Sequence, residues 1–202
     1  MSTVVTGEVR LSFVHLVEPY AYQEGQEPKY STTILIPKTD TETVQKIQQA
    51  VEEAKLQGKQ NRWNGVMPPR VQTPVYDGDG VRPSDGMPFG DECKGHYVLT
   101  ASAKEAFKPE IVDANLNKIL DPTEIYSGMY AHVCINFYPY AFGGKKGIGC
   151  GLGPVQKTRD GECLGGGAPK ASDVFSALNT DSNGFVKAEV NPITGEPIAP
   201  FA

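Results

Sequence analysis

The chain has 202 residues, a formal net charge of −5 and 39% hydrophobic residues, which suits one domain with an appendage and excludes a membrane-embedded protein. No stretch approaches the roughly 18 uninterrupted apolar residues of a membrane helix. MSTVVTGEVR has no signal-peptide apolar region, so the expectation is a soluble cytoplasmic protein with no membrane partner.

The segment VTGEVRLSF alternates, with Val9, Leu11 and Phe13 on one face and Glu8, Arg10 and Ser12 on the other, the period of a half-buried strand. KYSTTILIP predicts a second strand ending at Pro37. Thr39 and Glu42 make a capping box for the only long helix. Its apolar stripe is Val44, Ile47, Val51 and Ala54, and Gly58 supplies its stop. Residues 60–94 are rich in Pro, Gly and Asp, which predicts long loops with a short strand near Val71–Tyr76.

GHYVLTASA predicts another strand, with Tyr97, Leu99 and Ala101 opposite Val98, Thr100 and Ser102, and a short strand follows at Ile111–Val112. The closing unit is a long hairpin. Along Met129–Ala141, Ala131, Val133, Ile135 and Phe137 share one face, while Tyr130, His132, Cys134, Asn136, Tyr138 and Tyr140 share the other. Gly143-Gly144-Lys145-Lys146 forms the turn. GIGCGLGPVQK returns with Ile148, Cys150 and Leu152 on one side and glycines on the other.

From Gly165 the composition shifts to Gly, Ala, Pro, Ser and Asn, which predicts a flexible tail over 166–202 after a domain over 1–165, with a short helix around Ser172–Leu178. Cys93, Cys134, Cys150 and Cys163 are widely spaced with no CxxC pair, so they read as reduced thiols rather than a disulfide scaffold. Several strands, one peripheral helix and long loops make an all-β class with one added helix, closed or nearly closed into a small barrel.

Net charge is a blunt guide to partners, because binding responds to the field within a Debye length of about 10 Å. From Ile125 to Arg159 there is no Asp or Glu, yet Lys145, Lys146, Lys157 and Arg159 fall there. The same window holds Tyr126, Tyr130, Phe137, Tyr138, Tyr140 and Phe142, six of the chain's 18 aromatics. Unpaired nucleic acid needs flat π faces for its bases and cations for its backbone. Tyr130, Tyr138 and Tyr140 would form a ladder of rings, with Phe142 beyond it. Gly147, Gly149 and Gly151 would leave room for a base, and Lys145 and Lys146 would hold phosphates. Arg10, Lys29, Arg62, Trp63 and Arg70 would extend the groove. The plainer reading is that tyrosines favour strands and the glycines admit a second layer.

Other chemistries find little support. The glycines from Gly147 to Gly153 lack the dinucleotide spacing and precede Pro154 rather than a helix. Asp77-Gly78-Asp79-Gly80 resembles the start of a calcium loop, but its glycine is at the fourth position and Pro88 occupies the place of the closing Glu. Cys93 and His96 have no second pair to complete a zinc site, and His15, His96 and His132 have no nucleophile at a known spacing. No catalytic residue, metal or cofactor is expected. Two rivals stay open: a metal-dependent nuclease using Asp77, Asp79 and His96, and an assembly protein using the aromatic face for protein contacts.

GEVRLSFVHLVEP, KYSTTILIPKTDTETVQKI, RWNG, DGDGVRP and GHYVLTASAK, followed by DPTEIYSGMYAHVCINFYPYAFGGKKGIGCGLGPVQKTRDGECLGG, run in order from about Thr3 to Gly166. Together they resemble a family of phage and prophage single-stranded DNA-binding proteins long catalogued as a domain of unknown function. The resemblance implies an OB-fold-like, five-stranded, partly open barrel with an added helix, and no catalysis. It also implies sequence-tolerant coating and protection of single-stranded DNA in phage replication, recombination and repair, in the cytoplasm of the bacterial host. Such proteins commonly end in an acidic tail with a terminal aromatic that recruits replication or recombination proteins. Here the tail carries only Asp173, Asp181, Glu189 and Glu196 against Lys170 and Lys187, and Ala202 follows Phe201. A homodimer is compatible with the sequence, which sets no oligomeric state.

Overall fold

The computed structural model describes residues 2–165; the expected flexible tail at 166–202 and its helix around Ser172–Leu178 lie outside the described residues. Strand β1 spans Ser2–Val5, β2 Val9–Tyr20, β3 Lys29–Pro37, β4 Val75–Asp77, β5 His96–Lys104, β6 Ile111–Val112, β7 Tyr130–Phe142 and β8 Lys145–Arg159. One helix, α1, spans Thr41–Asn61.

Strand β2 pairs antiparallel with β3, and β3 with β5. β5 runs parallel beside β8, β8 turns back on β7, and β7 pairs with β2, which closes a ring of five strands. β1 adds to β7, β4 to β5 and β6 to β8. The five-stranded, OB-like expectation holds, with three short strands added and α1 inserted between the second and third strands of the ring. Among the described residues no helix is long and apolar enough to cross a membrane.

The interior of the ring follows from period-two patterning. On β7, Ala131, Val133, Ile135 and Phe137 are at most 1% exposed, and they meet Val9, Leu11, Ile34, Ile36, Leu99 and Val155. Tyr97, Leu99 and Ala101 face inward as the alternation predicts. All four cysteines are free thiols, with Cys134 and Cys150 inside strands.

Two local expectations need correction. The alternation of β2 breaks at a bulge between Ser12 and His15. Phe13 adopts φ +47 there, is 59% exposed and leaves the face it was expected to share with Val9 and Leu11. Val14 and Leu16 take over the inward positions. On α1, the cap is Asp40 rather than Thr39, its side chain accepting from the Thr43 amide at 3.0 Å. The helix also continues past Gly58, because that glycine is where Trp63 presses in: a Cβ would meet the indole at 2.7 Å.

Candidate nucleic-acid interface

The β7–β8 hairpin turns through Gly143 and Gly144, at φ +56 and +77, left-handed positions that suit a two-residue turn matched to strand twist. Pairing resumes at once, Phe142 against Lys145 and Ala141 against Lys146, so both lysines belong to the strand. Phe142 is 85% exposed at this end.

Register sets Tyr140 opposite Gly147 and Tyr138 opposite Gly149. A Cβ on Gly147 would meet the Tyr140 hydroxyl at 2.7 Å, and one on Gly149 would meet Tyr138 Cζ at 2.6 Å. Each ring therefore lies across the backbone of the facing glycine. The glycines make space for the tyrosines rather than for a base, so a base has the outer ring faces to stack on. Tyr138 remains 36% exposed, and burial of its inner side pushes its phenol pKa up. The Tyr140 hydroxyl donates to Gln72 Oε1 at 3.1 Å, and its backbone carbonyl accepts from the Trp63 indole at 3.1 Å.

Other expected site residues are placed elsewhere or otherwise engaged. Trp63 is 0% exposed and belongs to the core, where it supports Tyr140 from beneath. Tyr130 leaves the ladder, because the Arg159 guanidinium covers its ring at 3.4 Å from the centroid, with Arg10 at 5.9 Å. Arg10 donates to the carbonyls of Glu162 at 2.8 Å and Gly128 at 3.4 Å. Lys29 opens β3, opposite Tyr20 and Lys104.

The acid-free window is also less open in space than in sequence. Arg159 pairs with Glu8 at 2.9 Å and holds that carboxyl below its ordinary pKa, while Lys157 pairs with Asp160 at 2.7 Å. Among the described residues, Lys145 and Lys146 form no ion pair.

A second acid-free stretch compensates. Residues 54–76 hold Lys55, Lys59, Arg62 and Arg70 without one Asp or Glu. This stretch docks on the hairpin through the Trp63–Tyr140 bond and through Gln72, whose carbonyl accepts from Ile148 at 2.8 Å. Lys55 is paired with Glu52, whereas Lys59, Arg62 and Arg70 are exposed and form no ion pair among the described residues. Charge counting over this stretch shows that it lacks acids, but not that Lys55 is paired from outside it.

A groove of about 560 Å³ lies on the outer side of β2, β3, β4 and β5, between Phe13, Tyr76 and Phe89, with Arg82 at its rim. Its floor is Ser12, Thr33 and Thr100, which are register partners across the three ring strands. The Thr33 and Thr100 hydroxyls lie 3.3 Å apart. No sequence pattern announced this groove, because it depends on the bulge that turns Phe13 outward.

The nuclease alternative meets a different arrangement. The Lys38 ammonium sits 2.6 Å from Asp77 and 2.7 Å from Asp79, so a side-chain cation already bridges both acids. Asp79 also accepts from the Gly95 amide at 2.9 Å, tying down both ends of the intervening loop. Hydrogen bonding to Lys38 holds both carboxyls below their ordinary pKa. A depressed carboxylate contributes stability above its unfolded pKa of about 3.9 and loses it as pH falls through the folded value. Lys38→Met is therefore expected to flatten the decline in denaturation midpoint below pH about 4. An unchanged decline would show that the pair does not anchor the loop.

A family model described as the single-stranded DNA-binding protein of Enterobacter phage Enc34 matches residues 2–186. The solved structure of the single-stranded DNA-binding protein from bacteriophage Enc34 in complex with single-stranded DNA is 27% identical, with a TM-score of 0.67 over 81% of this chain and 90% of that one. Protein p50 of Acyrthosiphon pisum secondary endosymbiont phage 1 is 27% identical over 175 residues, 85% of this chain and 91% of its own length. The single-stranded DNA-binding protein gp2.5 of bacteriophage T7, at 16% identity and a TM-score of 0.55, covers 92% of this chain and 98% of its own and shares the fold.

Proposed function

The chain belongs to the Enc34 family of phage single-stranded DNA-binding proteins, and from that premise we propose that its β7–β8 hairpin and the docked 54–76 stretch grip the strand. The protein is a non-enzymatic binder that coats unpaired DNA during phage replication and recombination, acting in the cytoplasm of the bacterial host. One observation supports the site above all: Tyr138 and Tyr140 are seated on glycines on the strand face that Lys145 shares, with Lys146 next to it at the turn, and no acid neutralises either lysine among the described residues.

The chemistry divides into two parts. Ring faces stack on bases whatever their identity, each stack contributing about 1–3 kcal/mol, and duplex hides those faces. Lysines and arginines take phosphates and release counterions, so affinity falls with salt. Phe142, Arg62, Arg70 and Lys59 widen the cationic and aromatic patch around the tyrosines. The groove lined by Phe13 and Tyr76 continues the path across β4, and the exposed left-handed Phe13 is the kind of costly conformation that functional sites retain.

Replacing Lys145 and Lys146 together with alanine is expected to reduce the log–log salt slope for an oligothymidylate by about 1.4, at roughly 0.7 for each phosphate no longer neutralised. Fluorescence titration across a salt series measures it. A slope equal to wild type would remove these lysines from the site.

A further inference from the structure

Strand β1 is an edge: it pairs with β7 on one side, and no further strand pairs with its other side among the described residues. The Thr6 amide donates to the Val133 carbonyl at 3.1 Å, and bonded and unbonded pairs alternate along an antiparallel ladder. Val4 therefore bonds to Ile135, while Thr3 and Val5 aim their N–H and C=O groups away from β7. Edge strands are commonly guarded by lysine, proline or a bulge. Ser2–Val5 reads STVV, its register against β7 is unbroken, and Val5 is 56% exposed.

A groove of about 560 Å³ runs along this edge, with β1 on one wall and Lys46, Gln49 and Glu53 of α1 on the other. Val5 lies towards the Lys46 end, because it also lines the adjoining hollow at the start of α1, beside Asp40 and Glu42. The groove is self-complementary. Turning a copy by 180° about an axis through Val4 sets its Val5 against Thr3 and its Thr3 against Val5, so each outward N–H meets a C=O. The same rotation reverses the α1 wall, which brings Lys46 of each copy towards Glu53 of the other, with Gln49 near the axis. Within one copy Lys46 pairs with Glu42 at 2.6 Å, and Glu53 accepts from Gln49 at 3.1 Å. Both are surface helix contacts four residues apart, which contribute little and exchange readily.

We propose that a second copy of this chain docks in this groove, β1 against β1 antiparallel, as a two-fold symmetric dimer that forms without DNA. The inference goes beyond the single-stranded DNA reading and does not depend on it. A four-residue strand and one helix edge bury less than the roughly 1,200 Å² of a standard interface, so the dimer is weak and its population grows with concentration.

Sedimentation equilibrium of the full chain without DNA, from about 1 to about 300 μM, is expected to show a monomer–dimer equilibrium. Thr3→Pro removes an N–H aimed into the groove and spares the ladder to β7, a place where an edge strand tolerates proline. By symmetry it deletes two bonds per dimer, and it should raise the dissociation constant at least about fivefold. Lys46→Glu and Glu53→Lys should each weaken self-association. Their equimolar mixture should restore it, because unlike charges then face each other at both ends. That rescue does not depend on how the proline variant folds. A wild type that stays monomeric throughout overturns the proposal. So does a dimer that Thr3→Pro and the charge variants leave unchanged, or one that the mixture fails to restore.

Discussion

Tyr138→Ala is expected to weaken binding to an oligothymidylate by about five- to a hundredfold at every salt concentration, because it removes one stacking face worth about 1–3 kcal/mol. The ring lies across Gly149 with its outer face open, so the loss falls on the ligand more than on the fold. Tyr138→Phe keeps the face and should bind within about twofold of wild type. Gly149→Val approaches the same point from beneath: it places atoms where Tyr138 Cζ would stand only 2.6 Å from the new Cβ, so the ring must lift from its seat. It should weaken binding without deleting an aromatic group. Equilibrium titrations at low and high salt separate this loss from that of the lysine variant, which changes the slope. An unchanged affinity for Tyr138→Ala would show that bases stack elsewhere.

Trp63→Ala is expected to produce the largest loss of stability, about 3–5 kcal/mol, because it empties a fully buried site between α1 and the hairpin. For a domain of this size that lowers the thermal midpoint by about 6–20 °C. The indole packs on Gly58 and donates to the Tyr140 carbonyl, so one side chain joins the helix end to the strand that carries the ring ladder. Trp63→Phe preserves most of the packing and removes that donor, at a cost of about 1–3 kcal/mol for an unpaired carbonyl. Its binding measured well below its melting point should stay close to wild type. A Trp63→Phe variant that melts as wild type but binds DNA tenfold more weakly would return the indole to the interface.

Tyr138 and Trp63 differ in how legible their places are in the sequence. The β7 alternation, with Phe137 inward and Tyr138 outward, is visible because a regular strand exposes every second residue, and this strand has no break over that stretch. Trp63 and Arg62 look alike as polar-loop neighbours in sequence, yet one is fully buried and the other exposed. Only the contact with Gly58 decides between them.

Phe13 escapes the pattern for a related reason. Period two does not carry through a bulge, and Phe13 itself bears no sign that the backbone turns left-handed there. Arg159 looks unopposed when charge is counted along the chain. Its partner Glu8 is 151 positions away and reaches it only through ring closure. Patterning thus locates strands and their faces well. Which cations remain free depends on tertiary pairing and cannot be counted from a window.

In the mechanism we propose, ring stacking beside a small unpaired cationic patch lets an overall anionic protein hold unpaired DNA. Competition between one oligonucleotide and the duplex of the same sequence, followed across a salt series, tests this most directly. Duplex is expected to compete poorly at every salt concentration, and the advantage of the single strand should persist as salt rises because stacking is not screened. Equal competition by duplex, or an advantage that vanishes with salt, would mean that charge alone does the binding and would contradict the stacking mechanism.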